Sequence, residues 1–198
     1  MGLLVEVVGP SGVGKTTLVN VLSRHAHFAT AYEGHAGRPF QALFKQDKRY
    51  GLANQMDYLL LRAEQERELR ASPLIGLMDG GLDLDYHGFA RLFHARAWLS
   101  DSEIDLCRRF YELARQLLPL PDLIVHLTAR ADVIRARLAS RQRINIALAE
   151  DTALFNFLLE QWLETVPSGH LIRLDVTAED REFTTSVSLI LERLHAPV

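Results

Sequence analysis

The sequence predicts an α/β protein built on a parallel sheet with helices on both faces. Three observations carry this. Five short apolar runs of strand length alternate with longer stretches of helical length along the 198 residues. The runs are near-continuously apolar, as in strands buried on both faces. The first run also leads through a glycine-rich loop straight into a helix. The length suits one domain over 1–198, enough to bury a sizeable core.

"LLVEVVG" (3–9) is a β-branched run closed by glycine and forms the first strand. A helix follows over 15–25. "TAYEG" (30–34) reads as a short second strand, and 35–52 as irregular, with "GRPF" as a breaker. Residues 53–71 form a long helix stopped near Ser72-Pro73, and "LIGLMD" (74–79) is the third strand. Helices are expected over 84–97 and 101–118. Ser100 caps the second of these, with Glu103 as its reciprocal partner. "PDLIVHLTA" (121–129) is the fourth strand, 130–141 an Arg-rich helix and 150–165 a further helix. "HLIRLDV" (170–176) is the fifth strand, and 180–195 closes the chain as a helix.

Hydrophobic residues make up 48% and charged residues 24%, with net charge −3. Bulk charge therefore gives no argument for a nucleic-acid partner, and none is expected. No apolar run reaches the ~18 residues of a membrane span, so no membrane partner is expected. Residues 1–8 read as a strand running into the loop motif rather than as a signal peptide, and a cytoplasmic location is expected. The single cysteine, Cys107, rules out an intramolecular disulfide and reads as a small buried hydrophobe.

"GPSGVGKTT" comprises Gly9, Pro10, Ser11, Gly12, Val13, Gly14, Lys15, Thr16 and Thr17. It matches G-x-x-x-x-G-K-[ST] in full, between a strand and a helix. Its backbone N–H groups can curl around phosphate oxygens, helped by the positive end of the helix. Lys15 can reach the β- and γ-phosphates of ATP, and the Thr16 hydroxyl can ligate Mg²⁺. A GTPase would also need a base-reading N-K-x-D segment after a late strand. "NQMD" (54–57) lacks the lysine and lies inside an early helix, so it does not serve. Size and the Arg-rich helix after strand four fit a small-molecule kinase.

"YEGHAGRPFQALFKQDKRYGLANQMDYLLLRAEQ" (32–65) resembles the deoxynucleoside kinase family, especially its bacterial purine branch. The matching features are Glu33 at a strand end, Pro39-Phe40, Asp47 with Tyr50, and a helix carrying Gln55 and, seven residues on, Arg62. "LLPLPDLIVHLTARADVIRARLASRQR" (117–143) resembles the family's fourth strand and lid, and "LDV" (174–176) with Asp180 the segment beside the adenine. The resemblance implies a three-layer P-loop kinase fold with strand order 2-3-1-4-5, a short lid over about 135–150, and a homodimer. It implies that Glu33 is the general base for the substrate 5′-hydroxyl. Gln55 would bind the base through its amide. Arg62, Asp85 and Phe89 fall where base-recognition groups are expected, the first two as a pair. Arg137, Arg141 and Arg143 match the lid arginines, with Arg135 beside them, and guanidinium forks suit phosphate oxygens. Asp79 would help to hold Mg²⁺ at the end of strand three.

Three positions depart from the family pattern. Its strand-end arginine falls on Gly80, its sugar-contacting tyrosine on Lys45 or Phe44, and its lid glutamate on Ile146. Gly80 and Gly81 could let the turn itself supply N–H donors at the sugar end. The expected activity is transfer of the ATP γ-phosphate to the 5′-hydroxyl of a deoxynucleoside, with a purine base expected. A nucleoside monophosphate kinase with Arg38, Lys45 or Lys48 as phosphate clamp is a second reading, and a nucleotide-binding regulatory protein a third.

Overall fold

The computed structural model describes residues 2–33, 38–139 and 151–195. Five strands, β1 (Leu4–Val8), β2 (Phe28–Ala31), β3 (Ile75–Asp79), β4 (Leu123–Thr128) and β5 (Leu171–Asp175), pair in parallel in the order β2-β3-β1-β4-β5. The helices are α1 (Lys15–His25), α2 (Pro39–Gln46), α3 (Gly51–Ala71), α4 (Arg91–Ala95), α5 (Asp101–Leu117), α6 (Ala131–Ala139), α7 (Thr152–Leu163) and α8 (Thr184–His195). A π-helical stretch, Leu84–Ala90, runs directly into α4. No helix among the described residues is long and apolar enough to cross a membrane.

Strand periodicity sorts the core. Val5, Val7, Leu77, Val125 and Leu127 point to one face and pack with Leu18, Leu22, Val187 and Ile190 of α1 and α8. On the other face Leu4 and Met78 meet Leu69 of α3, and Val8 and Ile124 meet Leu92, Phe155 and Leu159. Both faces are covered, which is why the strands read as unbroken apolar runs. The fold class is the one expected.

Two segments differ from the sequence reading. The second strand is Phe28–Ala31 rather than 30–34, because Phe28 pairs with Ile75 and Ala31 with Met78, the penultimate residue of β3. Glu33 therefore lies beyond the strand end. The stretch 35–52 is not irregular throughout, since α2 begins at Pro39. Proline at the first helical position lacks only an N–H that would be unpaired anyway, so it starts this helix rather than breaking it. Phe44 on α2 is fully buried and stacks on Phe93 at 4.6 Å. The Ser100–Glu103 capping box of α5 is present, and Cys107 is buried.

One strand residue breaks the apolar run. Glu6 is buried among Glu66, Asp83 and Arg115. Arg115 Nη2 lies 2.9 Å from both Glu66 Oε2 and Asp83 Oδ2, and the Tyr111 hydroxyl donates to Asp83 Oδ1 at 2.6 Å. Burial, and next the neighbouring Asp83 charge, push the Glu6 carboxyl well above the usual carboxylate range. The folded state thus retains a proton that the unfolded chain releases, and this contribution to stability is lost as pH rises through the folded value. Gln at position 6 keeps the shape and needs no proton. Glu6→Gln is expected to raise Tm by a few degrees at about pH 8 and by less at about pH 5. A gain that is equal at both values, or reversed, counts against a protonated Glu6.

Candidate active site

The candidate site lies at the carboxyl ends of the strands, where open α/β sheets bind ligands. Gly9, Gly12 and Gly14 have positive φ and bend the loop from Gly9 to Gly14 back over the start of α1. Lys15 is buried and its Nζ donates to Gly9 O at 2.9 Å, so the ammonium is held inside the loop's own curve. Thr16 and Thr17 open the helix beside it. Arg137 on α6 donates to Val13 O at 2.6 Å and to Val176 O at 3.2 Å, which ties α6 to the loop. Arg135 on the same helix is exposed. Arg141, Arg143 and Ile146, and the part of the expected lid beyond residue 139, lie outside the described residues. Asp180 caps the turn before α8, with its Oδ1 accepting from the N–H groups of Glu182 and Phe183.

Asp79 ends β3 and is 2% exposed. Its Oδ2 accepts from the Thr16 hydroxyl at 2.5 Å, while its buried Oδ1 has no hydrogen-bond partner among the described residues. An unpaired carboxylate oxygen beside a hydroxyl, at the mouth of a phosphate loop, suits a hard cation. Mg²⁺ commonly takes one or two protein oxygens and fills its remaining positions from phosphate and water. Thr16 and Asp79 are the residues that could hold it. Among the described residues no cluster of three His, Cys, Asp or Glu is built for a metal by itself.

A second group surrounds Arg62. This guanidinium is buried on α3, with Nε 2.8 Å from Asp85 Oδ2 and Nη1 3.1 Å from Gln65 Oε1. Gln65 in turn donates to the carbonyl of Tyr32, the residue before Glu33. Burial works against the Arg62 charge, but Asp85 and then Glu33 outweigh it and raise its pKa. Asp79 acts in the same sense, so three carboxylates bear on one guanidinium. Burial is the largest influence on Asp85 and holds its carboxyl up at about 6, against the opposing pull of Arg62. Glu33, Gln55, Tyr58, Asp85 and Phe89 line one cavity, together with Asn54 and Phe93. Its volume is about 20 Å³, room for about one water, so a larger guest requires side chains to move. Phe89 also packs on Phe155 at 4.9 Å, so it belongs to the core as well as to the cavity wall.

Residues 5–183 match the family model described as deoxynucleoside kinase. The chain belongs to the deoxynucleoside kinase family. Deoxyguanosine kinase of Bacillus subtilis is 25% identical over 146 residues, covering 70% of this chain and 67% of the relative. Deoxyguanosine kinase of Lactobacillus acidophilus is 24% identical over 163 residues, covering 78% and 69%. Among solved structures, deoxyadenosine kinase from M. mycoides with bound dCTP superposes with a TM-score of 0.79 at 18% identity, covering 97% of this chain and 98% of that one. The same enzyme with bound dATP gives 0.79 at 18%, over 98% and 100%. Family membership makes the chain a kinase.

The departures from the deoxynucleoside kinase pattern have physical settings. Gly80 has φ of +71°, and a Cβ there would lie 3.2 Å from Arg62 Nη2. Arg62 thus fills the space beside the position where the family's strand-end arginine falls. A Cβ at Gly81 would collide with the Glu6 carboxyl, so the second glycine answers to the buried network. The idea that the turn supplies free N–H donors fails at Gly80, whose N–H donates to Val7 O at 2.9 Å within the sheet. Phe44 is core, and Lys45 is exposed.

Sequence reasoning passed over Tyr58 and Asn54. Tyr58 stands three residues after Gln55 and four before Arg62, so helical periodicity alone could have placed it on their face. Its hydroxyl accepts from Gln41 Nε2 at 2.7 Å.

Proposed function

We propose that this kinase transfers the γ-phosphate of ATP to the 5′-hydroxyl of a purine deoxynucleoside, with Mg²⁺, as a cytoplasmic homodimer in nucleotide salvage. The observation that carries the reading is the joining of the two half-sites. Arg62 pairs with the cavity carboxylate Asp85 and, through Gln65, reaches the carbonyl of Tyr32 next to Glu33, while Asp79 stands beside the phosphate loop on Thr16. In this reading Glu33 accepts the proton of the 5′-hydroxyl as its oxygen bonds to the γ-phosphorus and the bond to the β,γ-bridging oxygen breaks. Lys15 and Arg137, with Arg141 and Arg143, neutralise charge on the transferring group. Gln55, Arg62, Asp85 and Phe89 hold the base. Mg²⁺ held by Thr16 and Asp79 would neutralise phosphate charge and orient the donor. The purine preference takes its support from the names of the relatives, and the dimer from exposed Leu60, Leu106, Leu113 and Leu117 on α3 and α5.

The monophosphate-kinase reading is weaker. Arg38 is paired with Asp57 at 2.8 Å, and Lys48 sits over the Phe44 ring at 3.9 Å, so two of its three clamp candidates are engaged. The test is a transfer screen with labelled ATP and Mg²⁺ against the deoxynucleosides, the ribonucleosides and the nucleoside monophosphates. Product from purine deoxynucleosides, abolished by a chelator and restored by added Mg²⁺, is expected. Transfer only to monophosphates, or none with ATP bound, rejects the proposal.

A further inference from the structure

One buried acid takes no part in the proposed transfer. Glu6 is 1% exposed on β1, between the residue pairs Val5 with Leu77 and Val7 with Asp79. An apolar side chain there would complete the strand and escape the cost of burying a carboxyl. The neighbouring ions do not account for it. Arg115 pairs with Glu66 and Asp83, Arg70 pairs with Glu66 and Asp122, and among the described residues Glu6 makes no ion pair. What the carboxyl touches is the turn after β3. Its Oε1 accepts from the Leu84 N–H at 3.3 Å. A Cβ on Gly81 would lie 2.6 Å from the same oxygen, so the carboxyl rests directly against the Gly81 backbone. Gly81 does not share the positive φ of Gly80, so its backbone would accept a side chain and only Glu6 keeps one out.

This turn joins the two halves of the site. It starts from Asp79, which accepts from Thr16 at the phosphate loop, and it ends at Asp85, which pairs with Arg62 on the cavity wall. The Gly80 N–H donates to Val7 O and ties the start of the turn to the sheet, and the Asp85 N–H donates to Gly81 O and closes its end. Glu6 bears on the stretch between these two bonds, at Gly81 and Leu84. We propose that Glu6 is a positioning residue whose carboxyl holds the 80–84 turn and so fixes Asp79 relative to Asp85, the donor half of the site relative to the nucleoside half. This inference rests on the nucleoside-kinase reading and deepens it. It also gives the glycine after Gly80 a purpose, since any side chain at position 81 would push the turn off the carboxyl that sets it.

The test compares wild type with Glu6→Gln, Glu6→Ala, Gly81→Ala and the double variant Glu6→Ala with Gly81→Ala. Steady-state transfer from ATP to deoxyguanosine and deoxyadenosine is measured, with Tm and hydrogen exchange of the Leu84 amide alongside. Glu6→Ala and Gly81→Ala are each expected to lower kcat/KM for the nucleoside roughly tenfold or more, because both displace the turn. KM for ATP is expected to stay within about threefold, because the phosphate loop is held by its own contacts. Glu6→Gln keeps the acceptor for the Leu84 N–H and is expected to stay within about threefold of wild type in every constant. The double variant is expected to be no worse than Glu6→Ala, since without the carboxyl the added methyl displaces nothing. Leu84 exchange is expected to quicken in Glu6→Ala and not in Glu6→Gln. A carboxyl retained for the core alone would give wild-type kinetics with a lowered Tm in Glu6→Ala, and that result overturns the inference. So do additive losses in the double variant, or a Glu6→Gln as slow as Glu6→Ala. If Glu6→Ala does not fold, Gly81→Ala decides, and wild-type kinetics there reject the proposal. Transfer to no nucleoside by wild type strikes the kinase reading itself. In that case Leu84 exchange decides, and equal protection in wild type and Glu6→Ala rejects a holding role for Glu6.

Discussion

Replacing Glu33 by Gln is expected to lower kcat by about 10²- to 10⁴-fold while KM for ATP stays within about threefold. The separation follows from where the residue sits. Glu33 lies past the end of β2 and lines the cavity shared with Gln55 and Asp85, whereas the phosphate loop is held by its own contacts, Lys15 to Gly9 O and Arg137 to Val13 O. Gln keeps the size and an oxygen acceptor, so binding through hydrogen bonds survives. It cannot take a proton, so the attacking hydroxyl must release its proton to water. The negative charge of Glu33 also bears on Tyr58, Arg62 and Asp85, and its loss eases the burden on Asp85. Any change in nucleoside affinity is therefore expected to be small and favourable. Single-turnover transfer with nucleotide binding measured in parallel checks this. Retention of more than a tenth of the wild-type rate would remove Glu33 from the base role, and loss of ATP binding would mean a structural one.

The parts of the site legible in the sequence are those dictated by local chemistry. The loop from Gly9 to Thr17 is contiguous, and its glycines and lysine follow from what phosphate oxygens demand. Asp79 is readable because it closes an apolar run, and strand ends in a parallel sheet share one edge, whereas Glu33, two residues past the end of β2, is picked out only by the family resemblance. What stayed hidden depends on contacts between distant segments. Glu6 looks like a flaw in an apolar strand until Arg115, more than a hundred residues away, arrives to pair with the neighbouring carboxylates Asp83 and Glu66. Gly81 reads as a free turn residue until Glu6 occupies the space its side chain would need. Pro39 reads as a breaker because proline stops helices from inside but starts them from the first position, and only the buried Phe44 distinguishes the two. The π-helical stretch over Leu84–Ala90 has no compositional signature, yet it carries both Asp85 and Phe89. Asn54 is the clearest case. A buried amide and a solvated helix amide have the same sequence, and only the unpartnered atoms in the cavity separate them.

Removing the Arg62 guanidinium is expected to cost stability as well as activity, with a pH signature that identifies the cause. Arg62 and Asp85 are 1% and 5% exposed in their side chains, and a buried pair broken from one side leaves a stranded charge. Arg62→Met is therefore expected to destabilise the protein by about 3–5 kcal/mol near neutral pH. The sign of its pH dependence follows from Asp85. In the wild type burial already lifts that carboxyl to about 6, above its unfolded value, so Asp85 favours folding most when protonated and least above that pH. Without Arg62 the opposing pull disappears and the folded pKa climbs further. The deficit of Arg62→Met is thus expected to be smallest at about pH 5, where Asp85 is neutral in both proteins, and largest at about pH 8. Adding Asp85→Leu is expected to recover most of the lost stability, since no buried charge remains, and none of the activity, since kcat/KM for the nucleoside depends on the polar pair itself. Urea denaturation of the wild type, the single variant and the double variant at both pH values measures the cycle. A deficit that is independent of pH, or a double variant no more stable than Arg62→Met, would mean that lost packing of the arginine stem rather than a stranded carboxylate sets the cost. Recovery of activity along with stability would mean that the pair shapes the cavity without touching what binds there.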